Sequence, residues 1–161
     1  MKLSTQEEYG LRCLLQLGRR GDAESLTIAE LSQREGISPA NVAKIMRVLR
    51  KSGFVKSTRG QAGGYALARP ADQISVAEVL AALGGRLFDS GFCDRHAGIE
   101  ALCHHLGDCS IRPVLRQLQD VVDQVLGRLM LKNLLCSERE MAAAWTNPGA
   151  VTLPVAARTS Q

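Results

Sequence analysis

Apolar residues recur at helical spacing over residues 5 to 18. Tyr9, Cys13 and Leu17 share one stripe, with Leu11, Leu14 and Leu15 beside it, and Gly18 to Gly21 breaks the pattern. This predicts a first helix. Thr27 and Glu30 have the spacing of a capping box, in which hydroxyl and carboxylate satisfy free amides at a helix start, and Gly36 suits the stop of a short second helix. Ser38 followed by Pro39 predicts the start of a third, because proline has no amide proton to lose at the first helical position. Val42, Ile45, Met46 and Leu49 mark its packing face, while Ala40, Lys44, Arg47 and Lys51 fall on the other side. After Gly53, residues 54–57 and 65–67 read as two short strands around the glycine-rich stretch 58–64, a hairpin with an arginine at its tip. Ser75 and Glu78 repeat the capping-box spacing before a helix that runs to about Leu83.

From Ser110 onward, Ile111, Val114, Leu115, Leu118, Val121, Val122, Val125, Leu126 and Leu129 recur every three to four residues. They predict an amphipathic helix of about five turns, with Pro113 tolerated in the first. Such a stripe either covers the preceding domain or meets a second copy, and the helix is long for a small domain to cover alone. The Pro, Gly, Ala and Thr content from Asn147 reads as a disordered tail.

Three helices, the last two separated by a short turn, followed by a hairpin, form a winged helix-turn-helix, the arrangement that lays its third helix in the DNA major groove. The expected fold is therefore mainly α with a small β wing. Residues 1–83 would form the DNA-binding domain, 84–110 a cysteine-bearing loop, 111–146 a dimerisation helix region and 147–161 the tail.

Charge sharpens this picture. Between Gly36 and Ala71 stand Lys44, Arg47, Arg50, Lys51, Lys56, Arg59 and Arg69 without one acid, in a chain whose 20 basic and 16 acidic residues leave a net +4. The positive field is thus confined to the third helix and the hairpin, where a polyphosphate would be met. A basic run can also be a solvated face, and the coincidence with the winged pattern favours duplex DNA. With 3 Phe, 2 Tyr and 1 Trp, recognition of single strands by base stacking is disfavoured. No apolar stretch is long enough to span a bilayer and no secretion pattern opens the chain, so a cytoplasmic protein without a membrane partner is expected.

Five cysteines at irregular spacing do not suggest a disulfide framework. Cys93, Cys103 and Cys109 fall in one glycine-containing loop, and three soft thiolates suit an iron–sulfur cluster or zinc. Cys109 immediately precedes a helix start, where backbone amides favour thiolate. Cys13, on an apolar stripe, reads as a small buried hydrophobe. Cys136 reads as partly buried.

Residues 1–4, 31–38, 49–55 and 59–67, with the cysteine loop before a long helix, resemble in order and spacing the IscR/NsrR-like winged-helix transcription regulators. The resemblance covers about residues 1 to 135. It implies a homodimer on a palindromic double-stranded operator, repressing more often than activating, with a [2Fe–2S] or [4Fe–4S] cluster held by three loop cysteines, here Cys93, Cys103 and Cys109. One group in the family takes its fourth ligand from a His three residues after the last cysteine; Arg112 stands there and cannot ligate. Relatives that sense nitric oxide use a carboxylate of the partner's first helix, which points to Glu8, with His104 or His105 as the alternative. As a first-turn acid, Glu8 would also complement the helix dipole without any ligand. His96 reads as a surface residue, as do His104 and His105 where they are not ligands. The spacing of nine residues between Cys93 and Cys103 is wider than the family's usual five.

For DNA, Ser38 is placed to reach phosphate, Lys44 and Arg47 to reach guanine edges, Asn41 to read adenine or phosphate, and Lys51 to reach phosphate. The resemblance places Arg59 in the minor groove, and Gly60, Gly63 and Gly64 would permit close backbone approach. Two other readings remain: a DNA-binding regulator with a zinc or thiol redox switch, and an iron–sulfur carrier or small metalloenzyme. The last leaves the acid-free block unexplained and finds no general acid, base or substrate pocket, so an enzyme is not expected.

Overall fold

The computed structural model describes residues 3–21, 24–58, 63–95, 103, 105 and 107–145. Helix α1 (Thr5–Arg20) opens on Ser4, whose hydroxyl accepts from the Glu7 amide while the Glu7 carboxylate accepts from the Ser4 amide. Helix α2 (Ile28–Glu35) starts on the expected Thr27–Glu30 box and ends at Gly36, whose φ of 65° is the left-handed conformation that glycine adopts without strain. The Thr27 amide and hydroxyl hold the Glu30 carboxyl below the usual range. Helix α3 (Pro39–Lys51) begins as expected, with Ser38 accepting from the Asn41 amide at 3.4 Å.

Strands β1 (Val55–Thr58) and β2 (Gly64–Leu67) pair antiparallel, Val55 opposite Leu67 and Thr58 opposite Gly64. The segment between α1 and α2 adds a third backbone to this wing, since Leu26 and Tyr65 exchange both amide hydrogen bonds at 2.9 and 2.8 Å. Helix α4 (Val76–Gly84) packs across α1 and α3. Its expected capping box does not form. Ser75 makes no side-chain cap, and the Glu78 carboxylate pairs with Arg69 at 2.8 Å.

The core is the meeting place of these elements. Cys13, Leu14 and Leu17 of α1, Leu31 of α2, Val42, Met46 and Leu49 of α3 and Val79 of α4 are fully buried. Each buried leucine contributes roughly 2–3 kcal/mol through the apolar area it removes from water.

Beyond α4 a one-turn helix, α5 (Phe92–Arg95), precedes the long α6 (Ile111–Leu126). Gly127 follows α6, and the chain then returns to the winged domain. Leu129 accepts from the Val76 amide, the Leu131 amide donates to Ile74, and Leu131 is fully buried in the same core. A 3-10 segment (Leu131–Leu135) and helix α7 (Glu138–Trp145) complete the described chain. Residues 129 and 131, which fall in the region expected for dimerisation, thus bond and pack with the N-terminal elements. The expected tail at 147–161 lies outside the described residues.

Candidate nucleic-acid interface and cysteine loop

Burial of Val42, Ile45, Met46 and Leu49 sets the rotation of α3. Ser38, Asn41, Lys44, Arg47 and Lys51 are consequently all exposed on its outer side. Among the described residues, Lys44, Arg47, Arg50, Lys51 and Lys56 make no ion pair. Their charge is available to an external polyanion. Arg69, the last cation of the acid-free stretch, differs: it is neutralised by Glu78 and its guanidinium lies 5.4 Å from the Phe54 ring centre. Arg59 and Gly60 lie outside the described residues.

Gly63 is half-buried just before β2. Gly64 has a role internal to the fold, since a Cβ there would stand 2.6 Å from the Leu26 carbonyl oxygen. That close approach lets the 24–27 segment join the wing. Thr58 closes the hairpin from the other side, its hydroxyl accepting from the Gly64 amide at 3.0 Å and donating to the Gly64 carbonyl at 3.2 Å.

An ion-pair network escaped the sequence reading. Arg12 donates to the Glu35 carboxylate at 2.7 Å and to the Glu35 carbonyl at 2.5 Å, and Gln16 donates to the same carboxylate at 2.5 Å. The Glu35 side chain is only 10% exposed. This ties α1 to the C-terminal end of α2, and the Glu35 bond holds Arg12 above its ordinary pKa. Arg12 also reaches Glu8 at 3.5 Å, one helical turn earlier. Glu8 itself is exposed on the first turn of α1. The Glu8–Arg12 spacing was a visible signal, whereas the Glu35 partner lies 23 residues away and follows only from packing.

All five cysteines are free. Cys13 is buried, and desolvation pushes its thiol up to about 11. Cys136 is half-buried and donates to the Asn133 carbonyl at 3.1 Å. Cys93, Cys103 and Cys109 are half-buried between α4 and α6. Cys93, on α5, lines an open hollow of about 670 Å³ whose walls carry Arg86, Arg112 and Arg116 beside Asp89, Asp94 and Asp120. Among the described residues, no three His, Cys, Asp or Glu side chains stand together as a metal-holding group. As a donor set the three thiols suit an iron–sulfur cluster; the described geometry does not gather them. His96 and His104 lie outside the described residues, and His105 is exposed, with its carbonyl accepting from Arg112 at 3.4 Å.

Comparison with known proteins bears on these features directly. A family model named Rrf2 and described as an iron-dependent transcriptional regulator matches residues 3–137. The chain belongs to the Rrf2 family. This Rrf2 member is 30% identical over 145 residues to the HTH-type transcriptional regulator IscR of Xenorhabdus nematophila, covering 89% of this chain and 85% of that protein. The structure of T. potens IscR matches with a TM-score of 0.65 at 26% identity, over 84% of this chain and 86% of that one. CymR, the global cysteine regulator of B. subtilis, matches in fold with a TM-score of 0.67 at 24% identity, over 84% of this chain and 96% of that one. As an Rrf2 protein the chain is a DNA-binding helix-turn-helix transcription regulator and not an enzyme. No helix among its described residues is long and apolar enough to cross a membrane.

Proposed function

We propose that this Rrf2 regulator acts as a homodimer on a palindromic operator and that an iron–sulfur cluster on Cys93, Cys103 and Cys109 sets its occupancy. The observation that carries this reading is the set of three free, half-buried thiols between α4 and α6, in a family described as iron-dependent. When bound, the cluster supplies a centre whose charge and integrity change with iron, oxidants or nitric oxide. Glu8 is the proposed fourth ligand, given from the partner subunit, because it is exposed on the first turn of α1 and, among the described residues, its one ion pair is with Arg12 at 3.5 Å. His105 is the alternative within the loop.

The dimer reading rests on α6. Ile111, Val114, Leu118, Val121 and Val125 form one exposed apolar stripe, 40–65% accessible, while Leu115, Val122 and Leu126 turn inward. In the bound complex, the exposed face of α3 would enter the major groove, Lys44 and Arg47 reading guanine edges, with Asn41 on adenine or phosphate. Ser38 and Lys51 would hold phosphate, and the wing residues Arg59, Gly60, Gly63 and Gly64 would approach the adjacent minor groove.

A second reading keeps the DNA chemistry and uses the thiols as a redox switch or zinc site. It is supported by the free state of these thiols, which suits oxidation as well as metal ligation. Protein purified without oxygen decides between them. Matched iron and acid-labile sulfide with visible charge-transfer absorption is expected; a colourless protein that retains zinc, or no metal after reconstitution, would replace the cluster with the switch.

A further inference from the structure

Among the described residues, one polar side chain of α6 is buried. Leu115, Val122 and Leu126 pack inward, and between them stands Gln119, only 5% exposed. A leucine would continue the stripe. The amide is instead used on both sides: its Oε1 accepts from the Phe88 amide at 3.0 Å, and its Nε2 donates to Asp123 Oδ1 at 2.8 Å. The other Asp123 oxygen accepts from Arg86. Three side chains thus fasten residues 86–88 onto α6.

From this fastening a continuous chain of contacts leads to Cys93. The Phe88 ring stacks at a tilt against Phe92, centres 5.2 Å apart, and Phe92 immediately precedes the cysteine. Asp89 accepts from the Gly91 amide at 2.8 Å and from Arg95 at 2.9 Å, while the Phe92 amide donates to the Asp89 carbonyl at 3.1 Å. Residues 88–95 therefore form one small braced turn, and Gln119 is its attachment to α6. Gln119 also lines the hollow into which Cys93 opens.

We propose that Gln119 is the positioning residue of Cys93, clamping the start of the cysteine loop to α6 through Phe88 and the Asp123–Arg86 pair, so that the first thiol and the long helix move as one body. The proposal rests on the function proposed above only for its consequence, transmission from the thiols to α6. The clamp itself is tested on metal-free protein.

Full-length wild type and Gln119→Leu are compared by hydrogen exchange and by timed iodoacetamide labelling, with peptide mass spectrometry reading Cys93 against Cys136 in the same molecule. Gln119→Leu keeps volume and removes both bonds. The amide of Phe88 is expected to lose protection, and the Cys93 rate to rise at least about threefold relative to Cys136, as local opening becomes easier. Gln119→Glu with Asp123→Asn restores the network with its donor sense reversed, the new carboxylate accepting from both Phe88 and the new amide, which still accepts from Arg86. It is expected to return the Cys93 rate to wild type, which a loss of general packing would not. If Gln119→Leu fails to fold, Gln119→Glu alone, which sets two carboxylates against each other, is read the same way. An unchanged Cys93 ratio once Phe88 is deprotected, or a failure of the swapped pair to restore it, overturns the proposal. In reconstituted protein the same variants are expected to lose cluster faster to chelator. A wild type that takes up no iron or sulfide would sink the cluster reading and leave the labelling result standing.

Discussion

The salt dependence of DNA binding follows from the cations that the fold leaves without partners. Lys44, Arg47, Arg50, Lys51 and Lys56 are exposed and make no ion pair among the described residues, whereas Arg69 is held by Glu78. If Lys44 and Arg47 read bases, Arg50, Lys51 and Lys56 remain for phosphate, giving about six charges in a dimer and a slope of log K against log salt of about −5. Affinity should then fall by about three decades between roughly 50 and 200 mM salt. Replacing Lys51 by Ala removes about two of the six contacts and should flatten the slope by about 1.8. The same change should weaken cognate and scrambled duplexes alike, since phosphate carries no sequence. Fluorescence anisotropy of a labelled operator over a sodium chloride series measures both quantities. A Lys51→Ala slope equal to wild type, or a wild-type slope shallower than about −2, would refute the assignment of these residues to the interface.

Two further outcomes test the fold. Leu131→Ala, at a fully buried position in the returning segment, is expected to cost about 3 kcal/mol in urea unfolding, as for other buried leucines; a loss under about 1 kcal/mol would detach that segment from the core. Burial raises the Cys13 thiol from 9.0 to about 11, so above pH 9 the unfolded chain releases a proton that the folded one keeps and stability declines as pH rises towards 11. The Cys13-dependent part of that decline is up to about 1.4 kcal/mol per pH unit and should be absent from Cys13→Ala, as parallel melts across the range would show.

Local chemistry made most of the DNA-binding half legible. Thr27–Glu30, Gly36, Ser38–Pro39 and the stripe of α3 each act within a few residues, so the helices could be placed from the chain alone. At one box the reading failed: Ser75–Glu78 has the spacing, yet Ser75 makes no side-chain cap and the carboxylate pairs with Arg69. The small size of Gly64 also serves the Leu26 backbone, a contact across 38 positions that no local pattern encodes. The Ser137–Glu140 box that opens α7, with Ser137 hydroxyl and amide both donating to the Glu140 carboxylate, is equally local and went unread. The cysteine spacing pointed to a metal or redox centre, while the clamp beside it depended on seeing Gln119 turned inward. The α6 stripe carried two readings because the helix has two apolar faces, one packed and one exposed.

The return of Leu129 and Leu131 to the winged domain has a bearing on how such regulators could be recombined. A fragment cut after α6 would lose a core leucine and two backbone hydrogen bonds that fasten residues 74–76, so it is not a self-sufficient DNA reader. The cysteine loop and α6 are thus flanked on both sides by segments of one packing unit. A functional chimera with a relative would have to exchange residues 86–128 as an internal cassette and keep both flanks from one parent.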